Sequence, residues 1–253
     1  METKVITITN EKGGVGKTTT SLELSTGLVQ KGFKVLAIDL DTQCNLSLVT
    51  TGKTQFNSPS IGDVLSDKYD LEDAVIHLPT GLDLIRGSRT LSYDVKDVEN
   101  LELFYKLNEV LENQDNYDYV VIDTPPAITE ITTSAFIAST DIIIPVHAEL
   151  FSLKGTLSLS KTIKSAQKRM SRPLKISGIL LCKYKEKTAI ARAVSTQFDE
   201  LAKTLETKIF TSKIRDSVIV QEAQLSHKSV LEYSPKSPVG EDYKSFIEEY
   251  LRG

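Results

Sequence analysis

Apolar positions along the chain fall into two kinds of segment that alternate. Val5-Ile6-Thr7-Ile8, Lys34 to Ile38, Val120-Val121-Ile122 and Thr140 to Val146 are short, nearly unbroken runs rich in β-branched residues. Runs of that length and content predict strands buried on both faces. Gly81 to Ile85 and Leu174 to Leu181 read as two more. Between them, Leu22, Leu24, Leu28 and Val29 mark Thr20 to Lys31 as a helix, and Gly32 ends it. Leu101, Phe104, Leu107, Val110 and Leu111 also repeat at helical spacing. Phe151 to Lys168 predicts a long helix with Leu153, Leu157 and Ile163 inward, and Tyr243 to Leu251 an amphipathic one. Ile61 to Leu65 and Leu71 to Ile76 read as short helices, and Thr50 to Ser60 as a loop. Strand and helix in alternation predict an α/β fold with a doubly wound, mostly parallel sheet flanked by helices.

Composition narrows the class without naming it. The 253 residues suffice for one α/β domain and are too few for two large ones. At 40% hydrophobic and 25% charged, the content is that of an ordinary soluble protein. No run approaches a membrane span, and the first strand begins within four residues of Met1, which leaves no room for a signal peptide. Two cysteines, Cys44 and Cys182, make no disulfide framework, so a reducing cytoplasm is expected. A net charge of −4 argues against a wholly basic nucleic-acid coat and leaves room for a local basic face.

The candidate chemistry begins where the first strand ends. Thr9 to Thr19 reads TNEKGGVGKTT, a glycine-rich loop between a strand and a helix, the context in which a phosphate-binding loop works. Gly13, Gly14 and Gly16 let backbone N–H groups turn toward an anion, and Val15 lies between them. Lys17 would reach the β- and γ-phosphates, the Thr18 hydroxyl a magnesium ion, and Thr19 continues the motif. The first glycine of the usual motif is replaced by Glu11, and a second lysine, Lys12, opens the loop. Asp39-Leu40-Asp41 follows the second strand and Asp123 closes Val120-Val121-Ile122, where open α/β sheets bind ligands. Asp123 fits a Walker B position that holds magnesium through water. Pro125 and Pro126 stiffen the loop beyond it. Between 161 and 192 a run of lysines and arginines, including Lys183, Lys185, Lys187 and Arg192, is opposed only by Glu186. That pattern suits either a solvated face or salt-sensitive contact with phosphate backbones.

Lys-Gly-Gly-Val-Gly-Lys-Thr-Thr resembles the deviant Walker A loop of the ParA/MinD ATPases, and Asp39-Leu40-Asp41 resembles the A′ motif of that family. In the A′ motif Pro-Gln-Gly-Asn usually follows, whereas this chain has Thr42-Gln43-Cys44-Asn45. Glu149-x-Phe151-x-Leu153-x-Gly155, and Glu222-Ala223, His227-Lys228, Tyr233 and Pro235-Lys236-Ser237 nearer the end, are also similar to ParA-type chains. The resemblance implies a ParA/Soj-type partition ATPase of the SIMIBI class: a single P-loop domain over 1–253, with no N-terminal helix-turn-helix domain. It implies ATP and Mg2+ as cofactors. Two subunits would close over two nucleotides, Lys12 acting across the interface and Asp41 on the attacking water. Thr18, Asp39 and Asp123 would organise the metal. The ATP-bound dimer would bind DNA non-specifically and a ParB-type partner would stimulate hydrolysis, which is slow without it. DNA contacts are implied near Lys183, Lys185, Lys187, Arg192 and Arg215. The adenine pocket would lie between the Cys182 strand end and Arg215 to Ser217. No membrane partner is implied, since the last helix carries Glu248 and Glu249 and is not a basic anchor. Rival readings are a MinD-like positioning ATPase at the membrane, a nitrogenase iron-protein-like reductase, and a P-loop metabolic enzyme of dethiobiotin-synthetase type. The second needs cysteines at places Cys44 and Cys182 do not occupy.

Overall fold

The strands are β1 (Lys4–Ile8), β2 (Val35–Asp39), β3 (Val75–His77), β4 (Asp83–Ile85), β5 (Tyr119–Asp123), β6 (Asp141–His147), β7 (Lys175–Tyr184) and β8 (Ile209–Arg215). They form one sheet in the order β3-β4-β2-β5-β1-β6-β7-β8. Every neighbouring pair is parallel except β3 with β4. The computed structural model describes residues 3–112, 114–147, 153–168 (153–158 by backbone alone), 174–184 and 198–253. Lys185, Lys187, Arg192, Glu149 and Phe151 lie outside these residues.

Period-two alternation sorts the core. Ile6, Ile8, Val35, Ala37 and Val121 turn to one face, where α1 (Lys17–Gln30) and α12 (Pro238–Arg252) cover them. Val5, Leu36, Ile38, Val120 and Ile122 turn to the other, under α3 (Ile61–Leu65), α6 (Asn100–Glu112) and α7 (Glu130–Ala138). Further along that face, α8 (Leu153–Gln167) and α9 (residues 198–204) cover Ile142, Ile144 and Ile179. Helices on both faces are the doubly wound arrangement expected from the pattern. From β1 the chain passes to β2 on one side, and β6 later joins on the other. The carboxyl end of β1 is therefore a topological switch point, the place where such sheets bind ligands.

The edge strand β8 is closed by carboxylates. Glu249 on α12 accepts hydrogen bonds from the backbone N–H groups of Thr211 (2.7 Å) and Ser212 (2.8 Å), and Asp242 accepts from that of Arg215 (3.0 Å). These donors would otherwise offer a template for another strand.

Several elements differ from expectation. Only Leu71–Ala74 is helical (α4), because Val75 and Ile76 go instead to β3, antiparallel to β4. The last helix starts at Pro238 rather than Tyr243; Ser237 caps it and proline fits its first turn. Thr50 and Thr51 belong to α2 (Asn45–Thr51), not to a loop. In α8, Ile163 is buried as expected; the side chains of Leu153 and Leu157 are not among those described.

Candidate nucleotide site

The loop leaves the sheet one residue after β1, where Thr9 N–H donates to Ile143 O at 3.1 Å. Gly14 (φ 73°) and Gly16 (φ 99°) take the left-handed conformation that side chains resist. Gly16 also starts α1 and, having no side chain, caps nothing, so the first-turn N–H groups are left to whatever the cleft binds. Val15 is buried. The Lys17 side chain is almost buried, and its Nζ donates to Lys12 O at 2.9 Å. Burial lowers its proton affinity, while the charges of Asp123 and Asp41 pull the other way. The loop thus already holds its ammonium close to two carboxylates.

Asp39 and Asp123 close β2 and β5 as ladder partners, and both are fully buried. Burial raises the pKa of each, and the charge of Asp39 raises that of Asp123 further. The Ser21 hydroxyl donates to Asp123 Oδ1 at 3.0 Å, and Ser21 and the neighbouring Thr18 hydroxyl both favour the ionised carboxylate. The Oδ2 of Asp123 has no hydrogen-bond partner. A buried acceptor without a donor, beside a threonine hydroxyl, fits a hydrated magnesium ion.

Asp39 has other work in this structure. Its oxygens accept from Ser47 N (2.8 Å), Ser47 Oγ (2.6 Å) and Asp41 N (3.2 Å), and Ser47 Oγ in turn accepts from Gly87 N at 2.9 Å. Asp39 is thus tied to α2 and to the bend that delivers Asp41. A Cβ at position 87 would press on Cys44 Sγ at 3.0 Å and Asp39 Cγ at 3.1 Å, so a side chain there would have to displace its neighbours. Asp41 itself lines the cleft, and its Oδ1 accepts from Gln43 N at 2.9 Å.

The cleft, about 430 Å³, runs from the glycine loop past Asp41 and Pro126 to Cys182, Lys183 and the 214–217 turn. Val220, Gln221 and Gln224 of α10 (Val218–Leu225) form a further wall, and Gln224 Nε2 donates to Thr19 Oγ1 at 3.1 Å. Two residues expected at DNA sit at this cleft. Lys183 is exposed at its mouth, with φ 51°. Arg215 is exposed and paired with Asp242, through Nε at 2.7 Å and Nη2 at 2.8 Å.

Sequence reasoning missed Ser21, Ser47, Gln224 and Asn10 at the site. Ser21 was within reach, one helical turn after Lys17 on the same face. Ser47 and Gln224 stand on helices without a clear apolar stripe, and nothing local marks them.

A glycine loop at a switch point, a buried lysine in it and carboxylates ending adjacent parallel strands define a P-loop nucleotide hydrolase. Residues 3–176 match the family model described as an AAA domain. The chain is 33% identical to the sporulation initiation inhibitor protein Soj of Bacillus subtilis, over 97% of each chain. It is 32% identical to the chromosome partitioning protein ParA of Caulobacter vibrioides, over 98% of this chain and 94% of that one. A solved cobyrinic acid a,c-diamide synthase of Mycobacterium smegmatis, with bound ATP analogue and magnesium, superposes with a TM-score of 0.85. That match has 26% identity and covers 99% of this chain and 94% of the other. The chain belongs to the ParA/Soj-type family of P-loop ATPases.

Proposed function

We propose that this ATPase is a DNA-partition switch whose ATP-bound form is a dimer closed over two nucleotides. The observation that carries the reading is the match to Soj and ParA, which runs through nearly the whole of all three chains. On arrival of ATP, Lys17 exchanges the Lys12 carbonyl for phosphate oxygens, and the glycine-loop N–H groups bind the same phosphates. Thr18 and Asp123 would hold magnesium, which neutralises phosphate charge when bound. Asp41, fixed by the Asp39–Ser47–Gly87 network, orients the attacking water. Lys12 reaches the partner subunit's nucleotide, where positive charge meets the negative charge that grows in the transition state. The adenine goes to the cleft wall between Cys182 and α10.

The closed dimer binds DNA through phosphate contacts without sequence preference, using the basic segment that contains Lys183, Lys185, Lys187 and Arg192. Arg215 contributes less, because Asp242 neutralises it. A ParB-type partner stimulates hydrolysis and releases the DNA, and turnover without it is slow. A membrane-positioning role is less well supported. Among the described residues no helix is long and apolar enough to cross a membrane, and Phe246, Ile247 and Tyr250 of α12 are buried in the core rather than free to insert.

DNA retention with ATP, ADP or no nucleotide, across a salt series, tests the proposal. ATP-specific retention that falls steeply with salt supports it. Retention indifferent to nucleotide, with turnover that responds to a small carboxylate, would favour a metabolic enzyme instead.

A further inference from the structure

β1 and β6 are paired from Ile6–Asp141 to Ile8–Ile143, and Thr9 N–H extends the ladder to Ile143 O. The next N–H that β1 would donate is that of residue 11, to the carbonyl of Pro145. By then the backbone has turned into the glycine loop. The Asn10 side chain makes that rung in its place: Nδ2 donates to Pro145 O at 2.7 Å, and Oδ1 accepts from Lys12 N–H at 3.0 Å. In a strand, a residue's N–H and C=O point to the same side, so Pro145 presents a carbonyl toward β1 but no donor for the Thr9 carbonyl. Only the carbonyl remains there, and Asn10 takes it.

Lys12 is consequently gripped at both ends of its backbone, its N–H by Asn10 and its C=O by the Lys17 ammonium. The two grips differ in permanence. Lys17 leaves the Lys12 carbonyl when it moves to phosphate, whereas Asn10 is tied to the rigid sheet through Pro145.

We propose that Asn10 is a positioning residue for Lys12, fixing the base of its side chain against the sheet in the nucleotide-bound state. This rests on the reading of Lys12 as the residue that acts across the dimer. Asn10 therefore governs turnover and leaves nucleotide capture, which belongs to the glycines and Lys17, almost untouched.

The test compares Asn10→Ala, Asn10→Asp and Lys12→Ala with the parent in two measurements: the Kd of a fluorescent ATP analogue with magnesium, and single-turnover hydrolysis at saturating ATP. Asn10→Asp keeps the acceptor for Lys12 but sets an oxygen against the Pro145 carbonyl, so it probes the strut separately. Both Asn10 variants are expected to hold nucleotide within about threefold of the parent and to hydrolyse it at least about tenfold more slowly. Unimpaired hydrolysis in Asn10→Ala beside an inactive Lys12→Ala would overturn the assignment while leaving the Lys12 reading intact. A loss of affinity as large as the loss of rate would also overturn it, because that marks a general scaffold of the loop. If Lys12→Ala itself hydrolyses ATP like the parent, the Lys12 reading fails and this inference with it.

Discussion

The Lys17 ammonium donates to the backbone carbonyl of Lys12 at 2.9 Å, so the two lysines of the loop are linked before any phosphate arrives. Their expected roles are separable. Removing Lys17 deletes charged hydrogen bonds to the phosphates, so Lys17→Ala should weaken nucleotide binding about 10- to 100-fold. Lys12→Ala should leave that affinity nearly unchanged and abolish turnover. Titration with a fluorescent ATP analogue, set beside phosphate release, reads both.

Ser47 donates twice to a fully buried Asp39 and accepts from Gly87, so one hydroxyl joins α2, β2 and the segment after β4. Ser47→Ala leaves a buried carboxylate and a buried N–H short of a partner, at a cost of about 1–3 kcal/mol of stability. Turnover should fall more than affinity, since the bend that carries Asp41 loses its support. Urea unfolding and a comparison of kcat with Kd check the two parts.

Glu23 lies on the glycine-loop helix and caps α11 (Val230–Tyr233), accepting from Val230 N at 2.6 Å and Leu231 N at 3.1 Å. Burial raises its pKa from an ordinary 4.5 to about 8 against the pull of those two donors, and Glu232 adds to the rise. The folded protein then holds the proton more tightly than the unfolded chain. The stabilisation is complete below the unfolded value and is lost as pH rises through the folded one. Stability should decline between about pH 5 and pH 8, and Glu23→Gln should flatten that slope. Urea midpoints across that range provide the measurement; an unchanged slope in Glu23→Gln would place the titration elsewhere.

The order of legibility follows from how each element is stabilised. β1, β2, β5 and β6 are buried on both faces, so their runs of β-branched residues announce them, and the aspartates that end β2 and β5 come with them. The loop could be read because its glycines answer a backbone requirement. α7 could not: it is buried nearly all round, so no stripe distinguishes it from a strand or a core segment. β3 is three residues long and depends on β4 for its pairing, which is long-range information. The role of Asp39 was legible only in part. Its place at a strand end is local, but its partners Ser47 and, through Ser47, Gly87 come from residues 8 and 48 positions further along.

The carboxylate cover on β8 makes a prediction about self-association. Glu249→Ala uncovers the Thr211 and Ser212 N–H groups on an edge strand. The expected loss is about 1–2 kcal/mol of stability, with nucleotide-independent association as the second symptom. Sedimentation velocity without nucleotide distinguishes this from the ATP-dependent dimer.

In the proposed dimer each hydrolytic site takes Asp41 from one subunit and Lys12 from the other. Phosphate release from an equimolar mixture of the Lys12→Ala and Asp41→Ala proteins tests it most directly. Alone, each variant lacks a required group at both sites of its dimer. A mixed dimer has one site with both groups intact, so random pairing should restore roughly a quarter of the parent's turnover. A mixture as inactive as its two components, while still forming dimers with ATP, would contradict the shared site.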